Sequence, residues 1–177
     1  MTILDDDLCF AKNHKPTAII LPVPYPIVYQ RDGSVAYRDL KVDTDIARAD
    51  ALYGNFRVDT AFSNTASNYL EFAAFMSNDP TFTDLLVGDA AALSKVIVRS
   101  HDLLSAGLGA ASVGKWVSIA IPPLSAFTLS VTGRGFRYFT LGQVSYTPSA
   151  DWSTGGVTAY LTDKPLGQVA NAYASGY

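Results

Sequence analysis

The 177-residue sequence has few of the side chains on which most site chemistry depends. Its single cysteine, Cys9, excludes an intramolecular disulfide and a multi-cysteine metal site. It has two histidines, and Glu71 is its only glutamate, so a zinc site would need carboxylates brought together from elsewhere. Charged residues make up 16% of the chain, below the usual quarter, so much of the surface must be uncharged. Such surfaces commonly contact other proteins.

A strong excess of charge of either sign is also missing. The chain carries 13 Lys+Arg against 16 Asp+Glu and has no basic run, so we expect no nucleic-acid partner. The longest uncharged run, residues 116–133, contains Pro122 and Pro123 and alternates like two strands, so we expect no membrane span. Residues 1–8 carry acids where a secretory signal needs basic residues, so we expect no secretion by that route.

The chain does contain a dense β pattern, centred on residues 116–147. Apolar residues alternate with small or polar ones over residues 116–121, 127–131 and 136–147. Period-two alternation is typical of half-buried strands, and the prolines and glycines between these segments supply turns. Three strands joined by short turns favour an antiparallel β-sandwich over an α/β domain.

Similar patterns elsewhere predict further strands. The segment 69–76 is apolar on both faces, which predicts a central strand covered on both sides. Asp32-Gly33 predicts a tight turn. Residues 37–53 fit one short helix, which Thr44 or Asp45 could cap. The remaining predicted strands are residues 55–62, 95–100 and 157–162.

The length suits one domain, which we expect to span residues 1–177. Residues 13–54 form a proline-rich arm and a charged insertion, 55–162 form the sandwich core, and 163–177 form a polar tail. The arm cannot be a central strand, because its alternating prolines lack N–H donors, and we expect it to be extended or at a sheet edge. Two alternatives remain open for the arm: it packs on its own sandwich, or it lies on a neighbouring subunit.

No catalytic pattern rises above background. The string Ser100-His101-Asp102 has the letters of a triad, but adjacent residues cannot converge as triad members do. Cys9 and His14 lack a third group to orient the histidine, so a packed thiol is the simpler interpretation. The acidic clusters and the short glycine segment also lack the spacing of a metal or phosphate site. These are Asp5, Asp6 and Asp7; Asp43, Asp45 and Asp50; and Gly133-Arg134-Gly135.

Three places in the chain together resemble the capsid cement (decoration) proteins of tailed bacteriophages, of the kind found on short-tailed Bordetella phage heads. They are an N-terminal apolar opening, a proline-ended strand followed by an aromatic strand, and a last strand with a terminal aromatic signature. The matching residues are Ile3-Leu4-Asp5, Leu8 and Phe10; Ile121-Pro122-Pro123 and Phe136-Arg137-Tyr138-Phe139; and Thr158-Ala159-Tyr160-Leu161 with Tyr173-Ala174-Ser175-Gly176-Tyr177.

The resemblance implies a jelly-roll-like, all-β antiparallel sandwich that binds the outer surface of a phage capsid. Such a protein would be non-enzymatic, would need no cofactor, and would cement neighbouring major capsid subunits of the mature, DNA-filled head. It would be a homo-oligomer, a dimer or a trimer, made in the host cytoplasm and located on the virion. The expected contact residues are Pro22, Pro24, Tyr25 and Pro26 of the arm and Tyr173 and Tyr177 of the tail.

A carbohydrate-binding β-sandwich, such as a phage adhesin or tail-associated module, is the alternative. Sugars stack on flat aromatic rings, so its platform would use tryptophan and tyrosine side chains. Trp116 begins a strand and is expected in the core, which leaves Trp152 as the better platform residue.

Overall fold

The computed structural model describes residues 6–15, 25–62, 69–85, 96–100, 113–128, 135–146, 155–170 and 172–173. These residues form mostly β-strands, with two short α-helices and two 3-10 turns among them. The helices are α1 (Thr44–Arg48) and α2 (Ser125–Thr128), and the 3-10 turns are Asp6–Leu8 and Thr83–Leu85. The strands are β1 (Cys9–His14), β2 (Tyr25–Val28), β3 (Gln30–Arg31), β4 (Ser34–Val35), β5 (Arg38–Asp39), β6 (Leu52–Thr60), β7 (Tyr69–Ser77), β8 (Val96–Ser100), β9 (Trp116–Ile121), β10 (Tyr138–Tyr146), β11 (Gly156–Thr162), β12 (Gln168–Val169) and β13 (Ala172–Tyr173).

Over the described residues the strands form two large sheets and one small hairpin. The five-stranded sheet has the order β1-β11-β6-β9-β12, and the six-stranded sheet has the order β13-β8-β7-β10-β2, with β5 also pairing with β10. β3 and β4 pair only with each other. Every pair in the large sheets is antiparallel except β12 with β9.

The connectivity of the eight main described strands, β1, β2 and β6 to β11, is nested. The first pairs with the eighth, the second with the seventh, the third with the sixth and the fourth with the fifth. Successive pairs alternate between the two sheets, as in a long hairpin rolled into a sandwich. This is the strand order of a jelly roll. The predicted all-β, jelly-roll-like sandwich is therefore confirmed.

The core lies between the two sheets. Phe56 of β6 stacks on Phe72 of β7 with ring centroids 4.3 Å apart and an interplanar angle of 4°, which joins the sheets at their centres. Phe10 of β1 meets Phe139 of β10 edge to face at 5.8 Å. Each aromatic pair of this kind contributes about 0.5–1.5 kcal/mol beyond its burial.

β7 is buried on both faces, as its apolar pattern predicted. Phe72 and Ala74 point into the core between the sheets, whereas Ala73 and Phe75 belong to a second apolar cluster on the outer face of the six-stranded sheet. A turn follows this strand, because residues 78–81 lie outside any strand and lead into the 3-10 turn Thr83–Leu85. That turn places Leu85 in the second cluster.

One predicted strand is wrong. Residues 125–128 form the short helix α2 rather than the start of a strand, and residues 129–131 lie outside the described residues. Pro122 and Pro123 come directly before this turn, and the amide of Phe127 donates to the carbonyl of Leu124, so the local bonds are helical. The side chain of Phe127 is still buried in the core, so the apolar residue was needed for packing and not for strand pairing.

The predicted Asp32-Gly33 turn and the short helix are both present in the segment between β2 and β6. Asp32 and Gly33 have φ values of 54° and 81°, which is the left-handed pair that joins a two-residue hairpin. The N-cap of helix α1 lies one residue before the first of the two predicted capping residues. Its N-cap is Asp43, with no side-chain cap hydrogen bond, and not Thr44 or Asp45.

The ends of the chain contribute to the sheets as well. β1 and β2 precede residue 55, and β12 and β13 follow residue 162, so the strands extend beyond the expected bounds of the core on both sides. The two tail strands are only two residues long and lie at the edges of the five-stranded and six-stranded sheets. No helix of the described residues is long and apolar enough to cross a membrane.

Candidate functional site

The expected contact residues that the structure describes lie at opposite edges of the six-stranded sheet. Tyr25 and Pro26 are in β2 at one edge, and Tyr173 is in β13 at the other edge, opposite Arg99 of β8. Pro22, Pro24 and Tyr177 lie outside the described residues. Among the described residues, the arm and the tail strand β13 are therefore not brought together, and all six contact residues stay a prediction.

The edge position of β2 agrees with its proline. Pro26 pairs in register with Val144 of β10, and an edge strand can hold a residue that has no N–H to donate. β2 also lies very close to β10, because a Cβ on Gly142 would overlap the carbonyl oxygen of Ile27. The proline arm thus ends as a tightly packed edge strand of its own domain, which is the simpler of the two expected alternatives for residues 25–28.

The tail crosses the outer face of the five-stranded sheet and is held there by a buried polar network. The side-chain oxygen of Asn55 accepts from the hydroxyl of Ser118 at 2.6 Å and from the amide of Leu166 at 2.8 Å. Its side-chain nitrogen donates to the hydroxyl of Thr162 at 2.8 Å. Gly167 donates its amide to the Ser118 hydroxyl at 3.2 Å. Because Asn55 and Ser118 are fully buried, each of these bonds replaces one to water.

Trp116 lies on the same outer face and not in the core, where it was expected. Its strand neighbour Val117 packs on the core, so the Trp116 ring points the other way and is half-buried. The guanidinium of Arg57 sits 5.6 Å from the ring centroid, and the ring of Tyr160 lies 6.2 Å away. Cation–π contact of this kind occupies one face of the tryptophan. Trp152, the other platform residue, lies outside the described residues.

The candidate catalytic residues are not brought together. Cys9 is buried and its thiol donates to the carbonyl of Ala11, whereas His14 packs on the ring of Tyr29 at 5.5 Å. These two residues are five positions apart on one extended strand, a separation of roughly 16 Å. Burial lowers the pKa of His14. Ser100 accepts from the amide of Phe72 in the sheet, which is a structural use of its hydroxyl.

The acidic clusters form turns and ion pairs. Asp6 pairs with Lys12 at 2.9 Å, and the Lys12 ammonium lowers the pKa of Asp6. Asp43, Asp45 and Asp50 lie at the surface around α1. No group of three His, Cys, Asp or Glu side chains in the described ranges could hold a metal ion. His101, Asp102, Asp5, Gly133 and Arg134 lie outside those ranges.

Sequence reasoning missed a pair of cavities beside β1. Each has a volume of about 280 Å³ and lies against the β3–β4 hairpin. Arg31 and Asp32 line both, so the cavities are neighbours that share these two residues. The first is lined further by Asp7, Cys9, Phe10, Val35, Ala36, Tyr37 and Arg38, and the second by Lys12, Asn13, His14, Lys15, Gln30 and Gly33.

The basic residues at these cavities are scattered between positions 12 and 38. Their spacing has no local period, so the sequence offered no run of charge that could have marked them. The hairpin brings them together, because β3 packs against β1.

Comparisons with protein-family models, with curated proteins and with solved structures gave no match.

Proposed function

We propose that this protein is a non-enzymatic structural protein of a phage virion that binds the outer capsid surface and cements neighbouring major capsid subunits. The observation that supports it best is the nested strand order, because the resemblance in the sequence implied a jelly roll and the eight main strands have that connectivity. Jelly rolls are frequent in viral capsid and lectin domains.

The surface of the described residues fits a role in protein contact. Tyr37 and Val42, in the segment between β2 and β6, are 42% and 73% exposed, and Val113 and Val169 are each 48% exposed. None of the four lies in the eight main strands, so the sandwich carries them on its periphery. Apolar side chains at the periphery can be buried against a partner without any change in the core.

The proposed mechanism is multivalent binding. A dimer or trimer with closed symmetry would hold several capsid subunits at once. Once one contact forms, each later contact is intramolecular, so individually modest interfaces give durable attachment. Selective binding to the mature shell would raise the stability of that shell by linkage, without any reaction.

Sedimentation of the purified protein with mature and immature heads of the parent phage tests the proposal. We expect saturable binding to mature heads at a fixed ratio per capsid subunit and little binding to immature heads. Absence of binding to either form would contradict the proposal. Release of virions that retain their DNA after deletion of the gene would also argue against an essential clamping role.

The predicted contact residues need their own test in the same assay. The double substitution Pro22→Ser with Pro24→Ser should lower the bound fraction, and so should Tyr177→Ala. Pro123→Ser is a matched control, because Pro123 is exposed and lies between β9 and α2, a segment that belongs to neither the arm nor the tail. Unchanged binding of all three variants would remove the arm and the tail from the contact.

A second candidate is a carbohydrate-binding module, and the position of Trp116 favours it. This side chain lies on an outer face with Arg57 and Tyr160, where an aromatic ring can meet a ligand. A glycan array with the purified protein tests it, and Trp116→Ala should abolish any signal. A silent array would dispose of this candidate.

A further inference from the structure

We propose that the two cavities beside β1 form one binding strip for an extended acidic polypeptide segment. The strip comprises the residues that line these cavities, with Lys12, Lys15, Arg31 and Arg38 as its cations, and we call it the cationic strip. The inference rests on the proposed function only for the identity of the partner, which would then be a capsid subunit.

The geometry of the strip suits an extended chain. Residues 7, 9 and 10 contribute to the first cavity and residues 12–15 to the second, so the two spaces follow one another along β1, and Arg31 and Asp32 line both. The lining of the two cavities includes residues from Asp7 to Lys15, whose strand, Cys9–His14, is roughly 16 Å long from end to end at about 3.3 Å per residue. A bound segment of about six extended residues would reach from one cavity to the other.

The charge of the strip opposes that of the whole protein. The cavity linings contain four Lys or Arg residues and two acids, Asp7 and Asp32. The complete chain instead has 13 Lys+Arg against 16 Asp+Glu. A local excess of positive charge on an acidic protein raises the local concentration of an acidic partner and orients it.

Among the described residues, two of the four cations form no ion pair, although the guanidinium of Arg38 lies 6.0 Å from the centroid of the Phe10 ring. Lys12 pairs with Asp6, and Arg31 lies 3.6 Å from Asp32 and donates to the carbonyl of Asp6. For Lys15 and Arg38, in contrast, no ion pair forms with any residue that the structure describes. One of them lines each cavity, so an acidic segment would find, at both ends of the strip, a cation whose charge no described carboxylate neutralises.

The floor of the first cavity favours a peptide over a nucleic acid. Cys9 and Phe10 are buried beneath it, and Tyr37 stands at its rim with 42% of its surface exposed. Such a floor accepts an apolar side chain between carboxylates. A phosphate backbone would instead need a run of cations to follow, and the protein has no basic run.

Fluorescence polarisation with a fluorescein-labelled peptide of ten glutamates tests the inference. The variant carries Lys15→Glu and Arg38→Glu, which breaks no ion pair within the described residues. The matched control carries Lys41→Glu and Arg48→Glu, two exposed sites outside the strip with the same change in net charge. At about 0.05 M salt, where screening is weak, we expect the first variant to bind about tenfold more weakly and the control to change about twofold or less.

Several results would overturn the inference. An equal loss in both variants would mean that net charge alone attracts the peptide, and no loss in either would mean that the strip takes no part. Tight binding of a twenty-nucleotide oligothymidylate, lost in the first variant, would assign the strip to nucleic acid. A ten-lysine peptide should not bind, and binding with equal affinity would also count against the strip.

The same variants on phage heads separate this inference from the proposed function. If the wild-type protein binds mature heads and the Lys15→Glu, Arg38→Glu variant binds equally well, the strip is not the capsid contact, whereas the cement function stands. If the wild-type protein binds the glutamate peptide through the strip but does not bind heads, the strip stands and the proposed function fails.

Discussion

The two sheets of this protein cover their outer faces in different ways. The five-stranded sheet buries a polar network beneath the tail, with Asn55 and Ser118 at its centre. The six-stranded sheet buries a second apolar cluster, in which Phe75, Phe82 and Leu85 pack together outside the main core. The outer face of the five-stranded sheet is therefore covered through hydrogen bonds to β12 and the residues just before it. The outer face of the six-stranded sheet is covered by apolar side chains.

The difference has an energetic meaning. A buried hydrogen bond adds about 0.5–1.5 kcal/mol net, but a partner left without one costs more, so the polar face is stable only while the tail stays docked. The apolar face gains roughly 25 cal/mol per Å² and needs no directional partner. We therefore expect local opening at the tail of the five-stranded sheet before any opening at the apolar cluster.

The largest expected effect is on the apolar face. Phe75→Ala removes a fully buried ring from the second cluster and leaves a cavity, because the sheet behind it cannot collapse. We expect the free energy of unfolding to fall by about 3–5 kcal/mol, measured by urea denaturation. Val42→Ala is the control, since Val42 is 73% exposed and should change stability by about 0.5 kcal/mol or less. A loss below about 1 kcal/mol for Phe75→Ala would show that this face adds little to the fold.

A smaller effect is expected on the polar face. Asn55→Ala leaves the Ser118 hydroxyl and the Leu166 amide without their acceptor, and it should cost about 2–3 kcal/mol. It should also speed hydrogen exchange at the amides of Leu166 and Gly167, because the tail can lift and take water as partner. Asn78→Ala at an exposed turn is the matched control.

A second substitution checks that the tail is the part that opens. A Cβ on Gly167 would overlap the carbonyl oxygen of Trp116, so Gly167→Ala should release the same segment without touching Asn55. Fast exchange confined to residues 163–170 in both variants would support the comparison. Fast exchange spread through β7 and β10 would contradict it.

The smallest expected effect is on the turn that leads into the apolar cluster. The carboxylate of Asp79 accepts from the hydroxyls of Thr81 and Thr83, at 2.6 and 2.5 Å, and from both backbone amides at 2.9 Å. These bonds, the Thr81 hydroxyl first, hold the pKa of Asp79 well below its usual value of 3.8. Asp79→Asn should cost about 1 kcal/mol at pH 7, because the amide replaces a charged acceptor.

The pH dependence of that cost follows from the sign of the shift. Because the folded state lowers the pKa of Asp79, its contribution is complete above the unfolded value of 3.8 and is lost as the pH falls below it toward the folded value. The difference in urea midpoint between the wild-type protein and Asp79→Asn should therefore be constant from about pH 5 to 7 and shrink below about pH 4. A difference that grows on acidification would contradict this assignment.

Much of the fold could be read from local patterns. The alternation in β9, β10 and β11 and the two apolar faces of β7 predicted strands that the structure contains, and Asp32-Gly33 predicted its hairpin. The strand predicted over residues 127–131 was wrong at Phe127, which lies in helix α2. An apolar residue can be buried in the core from a helical turn as well as from a strand, so its burial alone does not identify the element. Trp116 misled for a related reason, since periodicity separates two faces but does not say which of them is the core.

The sequence by itself determined the class of the fold, an all-β sandwich. It also indicated turns at positions where glycine, proline and aspartate favour a turn over a strand. Only the tertiary structure decided the pairing of distant strands, the outward side of Trp116 and the placing of Lys15 and Arg38 at the two cavities beside β1. The physical reason is that local preferences act within a few residues, whereas these arrangements depend on which strands bury each other's faces.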